Sequence, residues 1–147
     1  MSPYPISFFA KAKSASGMQT SWATESAGNQ LQCTIPVEFD GPGGGLSPED
    51  LFAQALTNCF LATFKVYAEK SKVLFSGVEV HTELIVDYDE EKKPVMKKAI
   101  LKVEIQGANS EDRAKNLAQR AFKSGFILNS VKTEVQLDLK LMPGPSL

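Results

Sequence analysis

Between Leu51 and Phe64 the chain carries no charged residue, and this neutral run opens directly behind a helix-start signal. Ser47 is a strong N-cap, Pro48 fits the first helical turn, and Glu49 and Asp50 complement the positive end of the helix dipole. Phe52, Ala55, Leu56, Cys59, Phe60, Thr63, Val66 and Tyr67 then recur at spacings of three and four. The pattern predicts one wide apolar stripe on a helix of about six turns, ending near Lys72. Gln54, Thr57, Asn58 and Thr63 make the run too polar to cross a bilayer, and it is also too short. Such a helix has to be embraced by other elements of the fold.

Those elements read as strands and one further helix. The first third alternates loosely over 6–12, over 18–24 around Trp22, and over 31–39, with Gly17 and Ala27-Gly28-Asn29 as turns between the runs. Gly41-Pro42-Gly43-Gly44-Gly45 is a connecting loop, since such residues offer no helix propensity and little to pack. Beyond the long helix, Val78, Val80, Thr82, Leu84 and Val86 share one strand face, with Glu79, His81, Glu83 and Asp87 on the other. A charged turn at 89–94 leads to Ala99, Leu101, Val103 and Ile105, again at period two. Ser110 caps a second helix along Ala114, Leu117, Ala118, Ala121 and Phe122, and a last strand alternates from Val131 to Leu141. The order is βββ-α-ββ-α-β, an α+β layout with antiparallel hairpins.

At 147 residues the chain folds from roughly 23,000 Å² of surface to about 7,400 Å², which suits one domain over 1–147 with one core. Apolar residues make up 43% and charged residues 22%, an ordinary globular balance that excludes disorder. The net charge is −1 and the arginines are Arg113 and Arg120 alone, so no basic face is available for nucleic acid. The start lacks a basic segment followed by an apolar stretch, and two cysteines are too few for a disulfide framework. A cytoplasmic protein with reduced thiols and no membrane partner is expected.

Few residues offer chemistry. Cys59 lies mid-helix among Phe52, Leu56, Phe60 and Thr63, where a free cysteine is either a small buried hydrophobe or, given a nearby cation to hold the thiolate, a nucleophile. Nothing adjacent in sequence supplies that cation. Cys33 sits on an alternating run as an inward strand residue. His81 shares a strand face with Glu79 and Glu83, but no second histidine or cysteine lies nearby to complete a metal set. The glycine run is no phosphate cradle, because Pro48-Glu49-Asp50 stands where Gly-Lys-Ser/Thr would be needed. No cofactor and no metal is expected.

The segment Gly44-Gly45-Leu46-Ser47-Pro48-Glu49-Asp50-Leu51-Phe52-Ala53-Gln54-Ala55-Leu56-Thr57-Asn58-Cys59-Phe60 resembles the central helix of the OsmC/Ohr family, the osmotically inducible and organic hydroperoxide resistance proteins. There a glycine-rich loop runs into Asn/Ser-Pro-Glu-x-Leu-hydrophobic-Ala, with a cysteine ten residues after the glutamate. The order of elements matches over nearly the whole chain. The resemblance implies an OsmC-like fold with a long buried central helix, assembled as an intertwined homodimer with active sites at the subunit interface. Active members reduce hydroperoxides: a peroxidatic cysteine becomes a sulfenic acid, a resolving cysteine closes a disulfide, and an arginine and a glutamate hold the thiolate. Cys59 matches the peroxidatic position and Glu49 the glutamate.

The two remaining positions differ. Gly125, in Gly125-Phe126-Ile127-Leu128-Asn129-Ser130, stands where the resolving cysteine opens its motif, and it is expected to end the second helix in the left-handed conformation. Where the arginine belongs the chain has Ser16-Gly17-Met18-Gln19, and no arginine precedes Arg113; Lys11 or Lys13 is the available substitute. Glu49 and Cys59 are separated by a rise of about 15 Å along a straight helix, so any pairing between them crosses between subunits. The expected function is that of a divergent thiol-dependent hydroperoxide reductase, working through Cys59 with an external thiol as reductant. Two alternatives stand beside it. One is a non-enzymatic module of the same fold holding a small apolar ligand among Phe52, Phe60, Phe64, Phe122 and Phe126; the other is a hot-dog thioesterase-like protein, whose sheet also wraps one long helix.

Overall fold

The computed structural model describes residues 3–144; Met1 and Ser2 at the start of the expected domain, and 145–147 at its end, lie outside the described residues. The elements are β1 (Lys11–Lys13), β2 (Trp22–Ser26), β3 (Asn29–Cys33), a 3-10 turn (Val37–Phe39), α1 (Pro48–Lys70), β4 (Gly77–Tyr88), β5 (Pro94–Gln106), α2 (Glu111–Ser124) and β6 (Glu134–Met142). This is the βββ-α-ββ-α-β order read from the sequence. Two compact units divide it, Met1–Leu51 and Phe52–Leu147.

In the first unit β1, β2 and β3 form an antiparallel sheet in that order. Ala27 and Gly28, both at positive φ (53° and 77°), make the tight turn that pairs Ser26 with Asn29, the twist-matched solution for a two-residue hairpin. The sheet is shorter than the sequence alternation suggested. The run over 6–12 enters the ladder only at Lys11, and Phe8 and Phe9 stand 91% and 82% exposed. The run over 31–39 leaves it at Cys33: Pro36 has no N–H to give a ladder, and the chain folds into the 3-10 turn instead. Gly41 returns so close to the Ile35 carbonyl that no Cβ fits there. The start of α1 is fixed reciprocally. Ser47 Oγ accepts from the Asp50 N–H at 3.0 Å, and Asp50 Oδ2 accepts from the Ser47 N–H at 2.9 Å, a capping box with aspartate in the third position.

In the second unit β5 is the middle strand between β4 and β6. Ala99, Leu101, Val103 and Ile105 point inward from β5 and are buried, as period two required. They join Leu56, Phe60, Phe64 and Ala68 of α1 and Ala114, Leu117, Ala118 and Ala121 of α2 in one core. Three expectations are corrected. β6 runs parallel to β5, pairing Lys98 with Glu134 through to Gln106 with Met142, because α2 forms a crossover that carries the chain back to the same end of the sheet. A bulge at Lys97 of β5 shifts the register between Ile85 and Val86, and Val86, expected on the buried face, is 36% exposed. The buried stripe of α1 is narrower than the sequence pattern: within the single chain Val66 remains 49% exposed.

Candidate functional site

Cys59 projects from the middle of α1, half-buried, with Thr63 Oγ1 donating to its carbonyl at 2.7 Å one turn further on. Its sulfur meets the end of α2. Gly125 is the C-cap of that helix, and its N–H donates to the Ala121 carbonyl, so the helix ends where the glycine was expected to end it. The reason differs from the expected one. Gly125 has φ −59° and ψ 131°, an extended conformation open to any residue, and not the left-handed one. What excludes a side chain is Cys59 itself: a Cβ on Gly125 would lie 2.8 Å from the Cys59 Sγ and 3.1 Å from Leu128 Cδ1. Gly125 is therefore a packing solution around Cys59.

The turn after Gly125 is held by its own bonds. The Asn129 N–H donates to the Gly125 carbonyl at 3.0 Å and its Nδ2 to the Lys123 carbonyl at 2.7 Å; Ser130 Oγ donates to the Phe126 carbonyl at 2.6 Å. This tether accompanies a buried Leu128 and a Phe126, next in the chain after Gly125, that is 76% exposed.

Both arginines belong to this unit and both are engaged. Arg113 donates from Nη2 to the Ser71 carbonyl just past the C-terminus of α1, where a cation complements the dipole. The Arg120 guanidinium lies over the Tyr67 ring, 5.1 Å from its centroid. Tyr67 Oη is in turn 2.5 Å from Ser124 Oγ, and Ser124 Oγ is 2.8 Å from the Arg120 carbonyl. Sequence reasoning missed this Tyr67–Ser124–Arg120 group. Tyr67 read as one more position of the apolar stripe, and nothing local links it to a serine so far along the chain.

Of the other expected site residues, Glu49, Lys11, Lys13 and Cys33 lie in the first unit and His81 in the second. Glu49 occupies the first turn of α1 as expected, ten positions before Cys59 on the same helix, so the helix itself keeps the two apart by about 15 Å. Among the described residues its Oε1 is buried without a hydrogen-bond partner, as is Thr34 Oγ1. Lys11 and Lys13 stand on β1 opposite Glu25 and Ala23. Cys33 is buried at the end of β3, opposite Trp22, and both cysteines are free thiols. His81 is exposed and its Nε2 lies 2.8 Å from Glu79 Oε1, a surface pair on a solvated strand face.

The description of OsmC-like proteins matches residues 41–140, from the glycine loop through most of β6. The chain belongs to the OsmC-like family. That membership agrees with the resemblance drawn from the Ser47-to-Cys59 segment, and it assigns the wrapped helix to this fold and not to a hot-dog. An OsmC-like protein of unknown function from Vibrio cholerae superposes with a TM-score of 0.81 at 18% identity, covering 92% of this chain and 99% of that one. A Legionella pneumophila protein described as the organic hydroperoxide resistance protein OsmC superposes at 0.69 with 25% identity, covering 96% and 100%. An uncharacterized protein of Acinetobacter baylyi is 35% identical over 72 residues, 49% of this chain and 50% of the relative, so the match spans about half of that relative's length. Among the described residues no helix is long and apolar enough to cross a membrane.

Proposed function

We propose that this OsmC-like chain is a one-cysteine, thiol-dependent reductase of organic hydroperoxides, cytoplasmic and homodimeric, with Cys59 as its redox centre. The observation that carries the proposal is the half-buried Cys59 sulfur on a family-matched helix, set against Gly125 at the end of α2. The Legionella relative, named as a hydroperoxide resistance protein, supports the substrate class.

The chemistry balances without an internal partner. The Cys59 thiolate attacks the outer peroxide oxygen; an S–O bond forms, the O–O bond breaks, and the alcohol leaves after taking a proton. Cys59 is then a sulfenic acid, oxidised by two electrons. An external thiol attacks that sulfur and water departs, leaving a mixed disulfide. A second thiol molecule releases Cys59 and carries away the external disulfide.

In this reading Glu49 works from the opposite subunit. A buried carboxylate oxygen without a donor is costly, and a second copy that brings one to it removes the cost. Exposed apolar side chains in both units, Phe8 and Phe9 in one and Val66, Leu74 and Phe126 in the other, favour the same assembly. Sedimentation at micromolar concentration is expected to give twice the 16.0 kDa chain mass. A monomer there removes the role assigned to Glu49.

Exposed apolar side chains such as Phe126, next in the chain after Gly125, also favour a second reading, a module that holds a small apolar ligand without turnover. Peroxide consumption with a dithiol reductant separates the two. The wild type is expected to turn over and Cys59→Ser to lose all activity above background, whereas Cys33→Ser retains it. Activity that survives in Cys59→Ser would end the reductase proposal.

A further inference from the structure

We propose that Tyr67 is a positioning residue for the sulfur site, clamping the last turn of α2 through Ser124 so that Gly125 stays seated on Cys59. The proposal rests on Cys59 being the reacting group of the proposed reductase, but its geometry is independent of any peroxide.

The proton positions in the clamp are determined. A carbonyl only accepts, so the 2.8 Å contact between Ser124 Oγ and the Arg120 carbonyl is a bond donated by the serine. The serine has then spent its one proton, and the 2.5 Å contact with Tyr67 is donated by the tyrosine hydroxyl. Arg120, one turn before Ser124 on α2, covers the Tyr67 ring from outside and fixes its plane. The tyrosine thus bonds to α2 through its hydroxyl and through its face.

The direction of the side chain explains how this governs Cys59. Tyr67 lies two turns beyond Cys59 on α1, about 12 Å along the axis. Helical side chains lean toward the N-terminus, so the long Tyr67 side chain reaches back toward the cysteine level before it meets Ser124. The next residue of the chain is Gly125, and its missing side chain is the space the Cys59 sulfur uses. Fixing Ser124 therefore fixes the cover over the sulfur. Asn129 ties the following turn to Lys123 and Gly125, which are themselves part of α2's end, and gives that end no hold on α1.

The test is the rate at which iodoacetamide alkylates Cys59 in the full-length folded protein carrying Cys33→Ser. Tyr67→Phe keeps the ring under Arg120 and deletes only the donated proton. It is expected to raise the rate about three- to tenfold, the weight of one part-buried hydrogen bond on a local opening. Ser124→Ala, which also deletes the bond to the Arg120 carbonyl, should raise the rate at least as far, and the double variant should be no faster than Ser124→Ala, because Tyr67→Phe then removes no further bond. Ser124→Thr, which keeps the hydroxyl, should hold the wild-type rate. Unchanged alkylation in Tyr67→Phe and Ser124→Ala, or additive effects in the double variant, would overturn the clamp. A wild type that reduces no hydroperoxide would instead remove the reductase reading and leave the alkylation result to decide the clamp.

Discussion

Mild oxidation of Gly125→Cys is expected to crosslink the introduced thiol to Cys59, with loss of two hydrogens by intact mass and a linked peptide after digestion. The position is prepared for it. Backbone angles of −59° and 131° suit any L-residue, and the Cβ would stand 2.8 Å from the Cys59 sulfur. In a disulfide, each Cβ lies about 3 Å from the opposite sulfur, so little backbone movement is needed. The bond would close a loop over most of the second unit, and chain-entropy arithmetic gives about 4 kcal/mol of stabilisation over the reduced variant. The reduced variant should be less stable than wild type by about 1–3 kcal/mol, because two sulfurs then crowd a space shaped for one. Stability should thus rise on oxidation in Gly125→Cys and stay level in Gly125→Cys/Cys59→Ser. No crosslink under these conditions would mean that Gly125 does not stand over Cys59.

Phe64→Ala is expected to lower stability by about 3–5 kcal/mol, among the largest losses a single side chain in this chain can cause. Phe64 is fully buried, stacks on Phe60 with ring centroids 6.0 Å apart, and meets Phe75 at 5.4 Å. Removing the ring forfeits its transfer energy, opens a cavity and breaks both aromatic contacts. For a chain of this size the loss corresponds to a fall in melting temperature of about 10 °C or more. Val66→Ala, two positions along α1 but half exposed in the single chain, should fall well short of this unless a second copy covers it. Thermal melts followed by circular dichroism across a range of protein concentrations would measure both losses and show whether either depends on association.

What the sequence makes legible in this protein is local. The Ser47 cap, the period-two burial of β5 and the Ser110 cap of α2 each rest on residues a few positions apart, and each stands where its spacing puts it. Features that depend on distant partners were out of reach. The parallel pairing of β6 is decided by where α2 packs, and the bulge at Lys97 of β5 is visible only as a misfit of register against β4. The runs over 6–12 and 31–39 pair over fewer residues than they alternate, since alternation alone does not say where a partner strand stops or that Pro36 ends one.

The site divides along the same line. The choice of Cys59, Glu49 and Gly125 as candidates rests on a motif contained in the sequence. The role of Gly125 does not: glycine at a helix end suggests a left-handed cap, whereas here it makes room for a sulfur brought from another helix. The Tyr67–Ser124 bond was equally hidden, because no short-range pattern marks a tyrosine on an apolar stripe as a donor.

The mixed pairing of the second sheet also bears on how the chain assembles. β4 and β5 meet first at Tyr88 and Pro94, across a short turn, and can zip from there. β6 has no such start: every pair it makes with β5, from Lys98 with Glu134 to Gln106 with Met142, is equally far apart in the chain, with α2 in between. Loop closure grows dearer with the length of intervening chain, so the hairpin forms as a template and the outer strand is recruited last. Until then β5 presents a bare edge of apolar residues, the interval in which a nascent chain has most need of protection from its neighbours.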